Sequence, residues 1–155
     1  MRRLFFDSSA LFAAAYSRTG HARDLILMAV RGEITLVVSQ LVLDETRRNL
    51  AESTPERLII LDYITAGIPF EIVKPTKREV IAAARRVVLK DSPIIAAARK
   101  ARMDYLVSLD KKHLRGRPEL AEHVRAPILT PQEAFERLTQ PDQCPVKRSR
   151  MNFTA

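Results

Sequence analysis

Arg3-Leu4-Phe5-Phe6-Asp7-Ser8-Ser9-Ala10-Leu11 holds a short apolar run that stops at an acid and then turns small and apolar. Arg3 to Phe6 reads as a short buried strand ending at Asp7, and Ser8-Ser9 supplies N-cap chemistry for a helix through Tyr16. The strand-then-helix order recurs downstream. Ile34 to Val38 is a β-branched strand, and Ser39 opens a helix to about Ala51. Phe70 to Val73 is a third strand, after which Pro75-Thr76 caps a long helix to Leu89, with Val80, Ala83, Ala84, Val87 and Val88 at helical spacing. Tyr105 to Leu109 is a strand delivering Asp110. Pro127 to Leu129 is a short last strand before Thr130-Pro131 caps a helix to Leu138. Three more helices fill the gaps. One runs from about Ala22 to Arg31 and ends at Gly32, a second restarts at Ser53-Thr54-Pro55 and is bounded by Gly67 and Pro69, and a third starts at Asp91-Ser92-Pro93 and ends near Arg102. Strands alternating with helices predict an α/β sandwich with a mainly parallel central sheet.

The chain has 155 residues, a length that suits one compact domain. Hydrophobic residues at 46% and charged residues at 28% exclude a disordered chain. Twenty-six Lys and Arg against 18 Asp and Glu give a net charge of +8, which attracts polyanions. Cys144 is the single cysteine, so it forms no internal disulfide and no cysteine zinc site, and a reducing compartment fits. No apolar run approaches the ~18 residues that span a bilayer. Asp7 interrupts the one N-terminal stretch that imitates a signal peptide. A cytoplasmic protein with no membrane partner is expected. From Gln140 onward the chain is polar, with Pro141, Pro145 and a basic Lys147-Arg148-Ser149-Arg150, so residues 1–139 are expected to form the domain and 140–155 a mobile basic tail.

In an open parallel sheet, ligands bind beyond the carboxyl ends of the strands. Asp7 follows one strand directly and Asp110 follows another, so parallel strands put both at one edge. Asp104 lies at the opposite end of its strand, roughly 20 Å away at ~3.3 Å per residue, and is excluded by position. Asp91 opens a helix, and an N-cap alone accounts for it. Glu45 shares a helix face with Val38, Leu41 and Val42, although Leu43 blurs the stripe and Asp44 competes on periodicity alone. Gathered at one edge, such acids repel unless a cation neutralises them. Their hard oxygens suit Mg²⁺ or Mn²⁺, which can lower the pKa of a bound water and stabilise phosphoryl oxygens. Ser9 and Ser108 lie near the same edge and can orient carboxylates or waters.

These segments resemble, in order and spacing, the motifs of PIN-domain nucleases. Leu4-Phe5-Phe6-Asp7-Ser8-Ser9 is similar to the family's opening strand and acid. Ser39-Gln40-Leu41-Val42-Leu43-Asp44-Glu45 resembles its second motif, Asp91-Ser92-Pro93-Ile94-Ile95-Ala96 its third, and Tyr105-Leu106-Val107-Ser108-Leu109-Asp110 its fourth. The resemblance covers about residues 2 to 138 and implies a three-layer α/β/α sandwich. It also implies a metal-dependent endoribonuclease in which Asp7, Glu45, Asp91 and Asp110 hold Mg²⁺ or Mn²⁺, with Glu45 preferred over Asp44. Many small members are VapC-like toxins held inactive by an antitoxin, and relatives in the toxin group commonly dimerise, so RNA, an antitoxin protein and a second copy are the expected partners. Ser9 stands where many relatives carry Asn. The alternative is a catalytically weak nucleic-acid-binding or regulatory module of the same fold.

Other chemistries find little support. His21, His113 and His123 lack metal-ligand spacing. Ser8 and Ser9 have no His/Asp partners that would make a nucleophile. An Asp-nucleophile phosphatase would want an acid at position 9. Lys111, Lys112, Arg115 and Arg117 follow Asp110 and suit contact with an RNA backbone or a solvated loop.

Overall fold

The computed structural model describes residues 1–112 and 114–140. Strands β1 (Arg2–Phe6), β2 (Ile34–Val38), β3 (Glu71–Ile72), β4 (Tyr105–Val107) and β5 (Ile128–Leu129) form one sheet in the order β3-β2-β1-β4-β5. Every pairing is parallel, and Leu4 stands in register with Leu36 on one side and Tyr105 on the other. β1 is therefore the middle strand. That explains its unbroken apolar run, since Leu4, Phe5 and Phe6 are each fully buried. Such burial is worth about 1.5–3 kcal/mol for each of the larger side chains.

Among the described residues eight α-helices flank the sheet in two groups: α1 (Ser8–Tyr16), α2 (His21–Val30), α3 (Gln40–Ser53), α4 (Leu58–Gly67), α5 (Lys77–Ala84), α6 (Ser92–Ala101), α7 (Pro118–Val124) and α8 (Pro131–Thr139). α1 packs against α2, α3 and α4, and α2 against α8, while α5, α6 and α7 pack in sequence on one another. The chain lays down β1, β2 and β3 in one direction and then returns to β1 to add β4 and β5. The strand order thus reverses between β1 and β4, and a crevice is expected beyond their carboxyl ends.

Four local expectations need correction. The N-cap of α1 is Asp7 itself, whose side chain accepts from the Ala10 amide, so Ser8 and Ser9 are released for other bonds. α5 begins at the expected Thr76 cap, which with Glu79 forms a capping box, but stops at Ala84, because Val88 and Leu89 face solvent and offer no core to extend it. A 3-10 turn over Leu89–Asp91 follows and brings Asp91 to the start of α6. β4 stops at Val107, because the Leu109 amide donates to the Ser9 hydroxyl at 2.9 Å rather than to a neighbouring strand. Finally, α7 was not anticipated, although Pro118 at its first turn and the buried pair Leu120 and Val124 spaced four apart carry its signature. Residues 141–155, the bulk of the expected tail, lie outside the described residues.

Candidate active site

Asp7 sits where β1 gives way to α1, at the reversal of strand order, and is only 4% exposed. Such a carboxylate must be satisfied locally. Its Oδ1 accepts from Ser9 Oγ at 2.7 Å and from the Ala10 amide at 2.9 Å, and its Oδ2 accepts from Ser108 Oγ. These donors only partly offset the burial, which pushes the Asp7 carboxyl above the usual carboxylate range. The nearby Asp110 charge adds to the rise.

The two serines tie the β1–α1 junction to the segment after β4. Ser9 Oγ accepts from the Leu109 amide while donating to Asp7. Ser108, wholly buried, accepts from the Asp110 amide at 3.0 Å while donating to Asp7. Asp110 is thereby fixed by its own backbone, and its Oδ1 accepts from the Lys112 amide at 3.0 Å.

Glu45 projects from α3 and is held by Ser8, whose hydroxyl donates to Oε2 at 2.6 Å. Asp44, its competitor, is exposed and accepts from Gln40 on the same helix, away from the cleft. Asp91 occupies the N-cap position of α6, yet its side chain makes no capping hydrogen bond. Asp7, Glu45, Asp91 and Asp110 all line one cleft of about 820 Å³. Asp104 is at the opposite edge of the sheet, where it accepts from the Arg3 amide at 2.7 Å and pairs with Arg2 at 3.7 Å.

Two cleft residues, Asn49 and Glu52, escaped the sequence reading. They follow Glu45 on α3 at offsets of four and seven, the helical spacing that would have exposed them. Ser8 was missed as a partner of Glu45 because nothing local in the sequence signals a bond between positions 37 apart. Among the described residues the cleft is thus lined by five acids and by no lysine or arginine, in a chain of net charge +8.

That donor set suits a hard divalent cation. Oxygen donors alone, uncompensated by any lysine or arginine on the cleft wall, are what Mg²⁺ or Mn²⁺ prefers. Among the described residues no three His, Cys, Asp or Glu groups close on a common point. A hydrated Mg²⁺ needs only one or two direct carboxylates, so the set fits an ion that keeps much of its water.

The PIN domain family profile matches residues 3–112, and the chain belongs to that family, whose members are generally nucleases that use divalent metals. Among solved structures, PAE2754 from Pyrobaculum aerophilum is similar at a TM-score of 0.60 and 20% identity, over 88% of this chain and 95% of that one. VapBC2 from Rickettsia felis, solved bound to a DNA fragment from its promoter, is similar at a TM-score of 0.54 and 12% identity, over 71% of this chain and 89% of that one. At these identities the likeness is one of fold. No curated protein matches the sequence. Among the described residues no helix is long and apolar enough to cross a membrane.

Proposed function

We propose that this PIN-domain protein is a metal-dependent endoribonuclease that hydrolyses RNA phosphodiester bonds in the cleft of Asp7, Glu45, Asp91 and Asp110. The observation that carries the reading is the charge inversion of the cleft, where among the described residues every charged side chain on the wall is an acid in a basic chain. Without a cation such a wall repels phosphate, and with one it becomes a phosphate site.

Asp7, Glu45, Asp91 and Asp110 would hold Mg²⁺ or Mn²⁺ directly or through its waters. When bound, the ion supplies a water of lowered pKa and charge stabilisation at the phosphoryl oxygens. The protein's own part is orientation. Ser9 and Ser108 fix both oxygens of Asp7, and Ser8 fixes Glu45, so these acids are already oriented to hold an ion. Phe12 and Tyr16 stack with centroids 5.7 Å apart on the cleft wall, and the half-exposed Tyr16 offers a face on which a base can lie.

The protein acts in the cytoplasm, as the toxin of a toxin–antitoxin pair, with RNA as substrate, a small antitoxin as inhibitor and a second copy of itself as partner. Support for self-association is apolar side chains left in solvent on α2 and α4, among them Leu27, Val30, Ile59 and Tyr63. Residues 1–139 form the nuclease domain and 140–155 a basic appendage. The test is cleavage of mixed single-stranded RNAs by purified protein. Chelator should abolish it, Mg²⁺ or Mn²⁺ should restore it, and Asp7→Asn should lack it. Undiminished cleavage in excess chelator would remove the metal mechanism, and absence of cleavage with either metal would remove the ribonuclease. A neighbouring gene for a small DNA-binding protein is the sign of the antitoxin.

A further inference from the structure

α6 and α7 end at the edge of the sheet where β4 and β5 begin, opposite the acidic cleft. There four arginines and a lysine come together. Arg99, Lys100, Arg102 and Arg125 line one groove of about 610 Å³, and Arg86, Arg99 and Arg125 line an adjoining one of about 430 Å³. Among the described residues Glu79 and Glu122 are the only carboxylates on these walls, and Glu79 is taken by Lys100 at 3.2 Å. Among the described residues none of Arg86, Arg99, Arg102 and Arg125 pairs with a carboxylate. All four are exposed.

Their placement also has a conformational cost. Arg102 and Arg125 take left-handed backbone angles, φ 50° and 60°, directly after α6 and α7, where glycine would be relaxed. A side chain with a Cβ is strained at such angles. A helix C-terminus attracts a cation, but it does not require that two strained positions point their arginines at one groove. His123 adds to the pattern. Arg99 Nη1 lies 3.1 Å from its Nδ1, so a neutral ring serves as acceptor and holds the guanidinium in the groove. Burial first, then Arg99 and Arg86, lower the His123 pKa and keep that ring neutral.

We propose that this arginine groove is a second RNA-binding site, which grips the phosphodiester backbone of a long, folded substrate while another part of the same molecule occupies the acidic cleft. The proposal rests on the ribonuclease reading and adds to it a substrate class, RNA large enough to reach both edges of the domain. A phosphate backbone fits better than an acidic protein segment. Protein interfaces centre on aromatic or aliphatic anchors, whereas nucleic-acid interfaces are polar and positively charged. None of the large apolar side chains exposed among the described residues lies on either groove wall, where Met103 and Val124 are buried.

The experiment measures binding of fluorescent RNAs to full-length protein in excess chelator, where cleavage is not read, and cleavage separately with Mg²⁺. The pair Arg99→Glu and Arg125→Glu should weaken binding of a long hairpin RNA by about tenfold or more and lower the salt slope by about two. Binding and cleavage of a tetranucleotide, which occupies the cleft alone, should stay within about twofold. Arg86→Gln with Arg102→Gln, which adds no repulsion, should give a smaller loss in the same direction, and melting curves should match the parent. Unchanged hairpin affinity in both folded double variants overturns the second site. Equal losses for hairpin and tetranucleotide overturn its separation from the cleft. Polyglutamate competing as well as RNA overturns the phosphate assignment. A protein that binds the hairpin through these arginines but cleaves nothing would sink the ribonuclease reading and leave the groove standing as an RNA site.

Discussion

The hydroxyl of Ser108 donates to Oδ2 of Asp7, joining two residues 101 positions apart across the reversal of strand order. Ser9 holds the other oxygen. The pair of serines gives a buried acid fixed geometry, yet it leaves Asp7 with a raised pKa, because burial outweighs the hydrogen bonds. Function and stability therefore oppose each other at this residue.

The consequence is a stability that depends on pH in a defined direction. Below the ordinary carboxyl value of 3.8, Asp7 is protonated in both folded and unfolded chains and burial carries no charge penalty. As pH rises, the unfolded chain releases its proton first, so the folded state loses stability until the pH passes the raised folded value. Asp7→Asn removes the penalty. Its Oδ1 can keep the Ala10 and Ser9 bonds, and its amide can donate to Ser108. In chelator at neutral pH the variant should melt a few degrees higher than the parent, the shift that about 1 kcal/mol gives a domain of this size. The gain should vanish in acid. A variant less stable at neutral pH would show that the hydrogen bonds, not desolvation, dominate this site.

Ser8→Ala removes the donor that holds Glu45 at 2.6 Å while leaving every acid in place. The metal concentration for half-maximal cleavage should rise about tenfold, the usual effect of losing an outer partner of a ligand, with little change in the rate at saturating metal. A lower saturated rate with unchanged metal requirement would mean that Ser8 acts on the substrate rather than on Glu45.

Asp104 and Asp110 sit at opposite ends of the same segment, and only Asp110 lines the cleft. Asp110→Asn should lower cleavage by about 100-fold or more, the scale of removing a group that acts on the reacting water. Asp104→Asn should leave cleavage within about twofold, since surface changes rarely reach a distant site. It should lower the melting temperature slightly, because Asp104 accepts from the Arg3 amide and pairs with Arg2. Equal losses of activity in two folded variants would break the assignment of edges.

The edge positions of Asp7 and Asp110 were legible because a buried strand announces itself by an unbroken apolar run, and the residue after it must lie at its end. Glu45 and Asp44 could not be told apart from periodicity. Helical spacing places both near the boundary of the apolar stripe, and only the packing of α1 against α3 decides which one meets Ser8. The cap of α1 was misplaced because Asp, Ser and Ser are all good capping residues, and the choice among them depends on where the strand releases the chain. The end of α5 was overrun because Val87, Val88 and Leu89 look like a continuing stripe, whereas no partner layer extends that far to cover Val88 and Leu89. The arginine groove was legible only in pieces, because Arg85-Arg86 and Arg99-Lys100-Arg102 stand out as basic clusters that suit exposed helix faces or contact with nucleic acid, while nothing local joins them to Arg125. Arg86, Arg99 and Arg125 belong to separate stretches of chain that only the tertiary fold brings together.

Removing residues 140–155 tests the proposed domain boundary. The segment has no apolar period, so its loss should leave the melting temperature within about one degree, the scatter expected when nothing is unpacked. RNA affinity should fall modestly at low salt through the loss of Lys147, Arg148 and Arg150, and the difference should close as salt is raised. A large drop in melting temperature would move the boundary beyond residue 139.

Self-association is read from apolar side chains that α2 and α4 leave in solvent. Ile26 is 3% exposed and belongs to the core, so a charge there would unfold the domain rather than report on an interface. On α4, Leu61 and Ile64 face inward, while Ile59 and Tyr63, four residues apart and therefore on one face, are 56% and 70% exposed. An isoleucine and a tyrosine side by side in water form an anchor of the kind that interfaces bury at their centre. In a symmetric pair the same face would serve both copies, leaving the acidic cleft to its substrate. Light scattering across micromolar concentrations should give a dimer for the parent chain. Ile59→Glu and Tyr63→Glu should each shift it to a monomer that keeps its melting temperature and its cleavage of short RNA. Leu27→Glu on α2, whose side chain is 46% exposed, discriminates between faces. Loss of the dimer there but not in the α4 variants would move the interface to α2. A parent chain that stays monomeric throughout the range would remove the dimer and leave the nuclease assignment untouched.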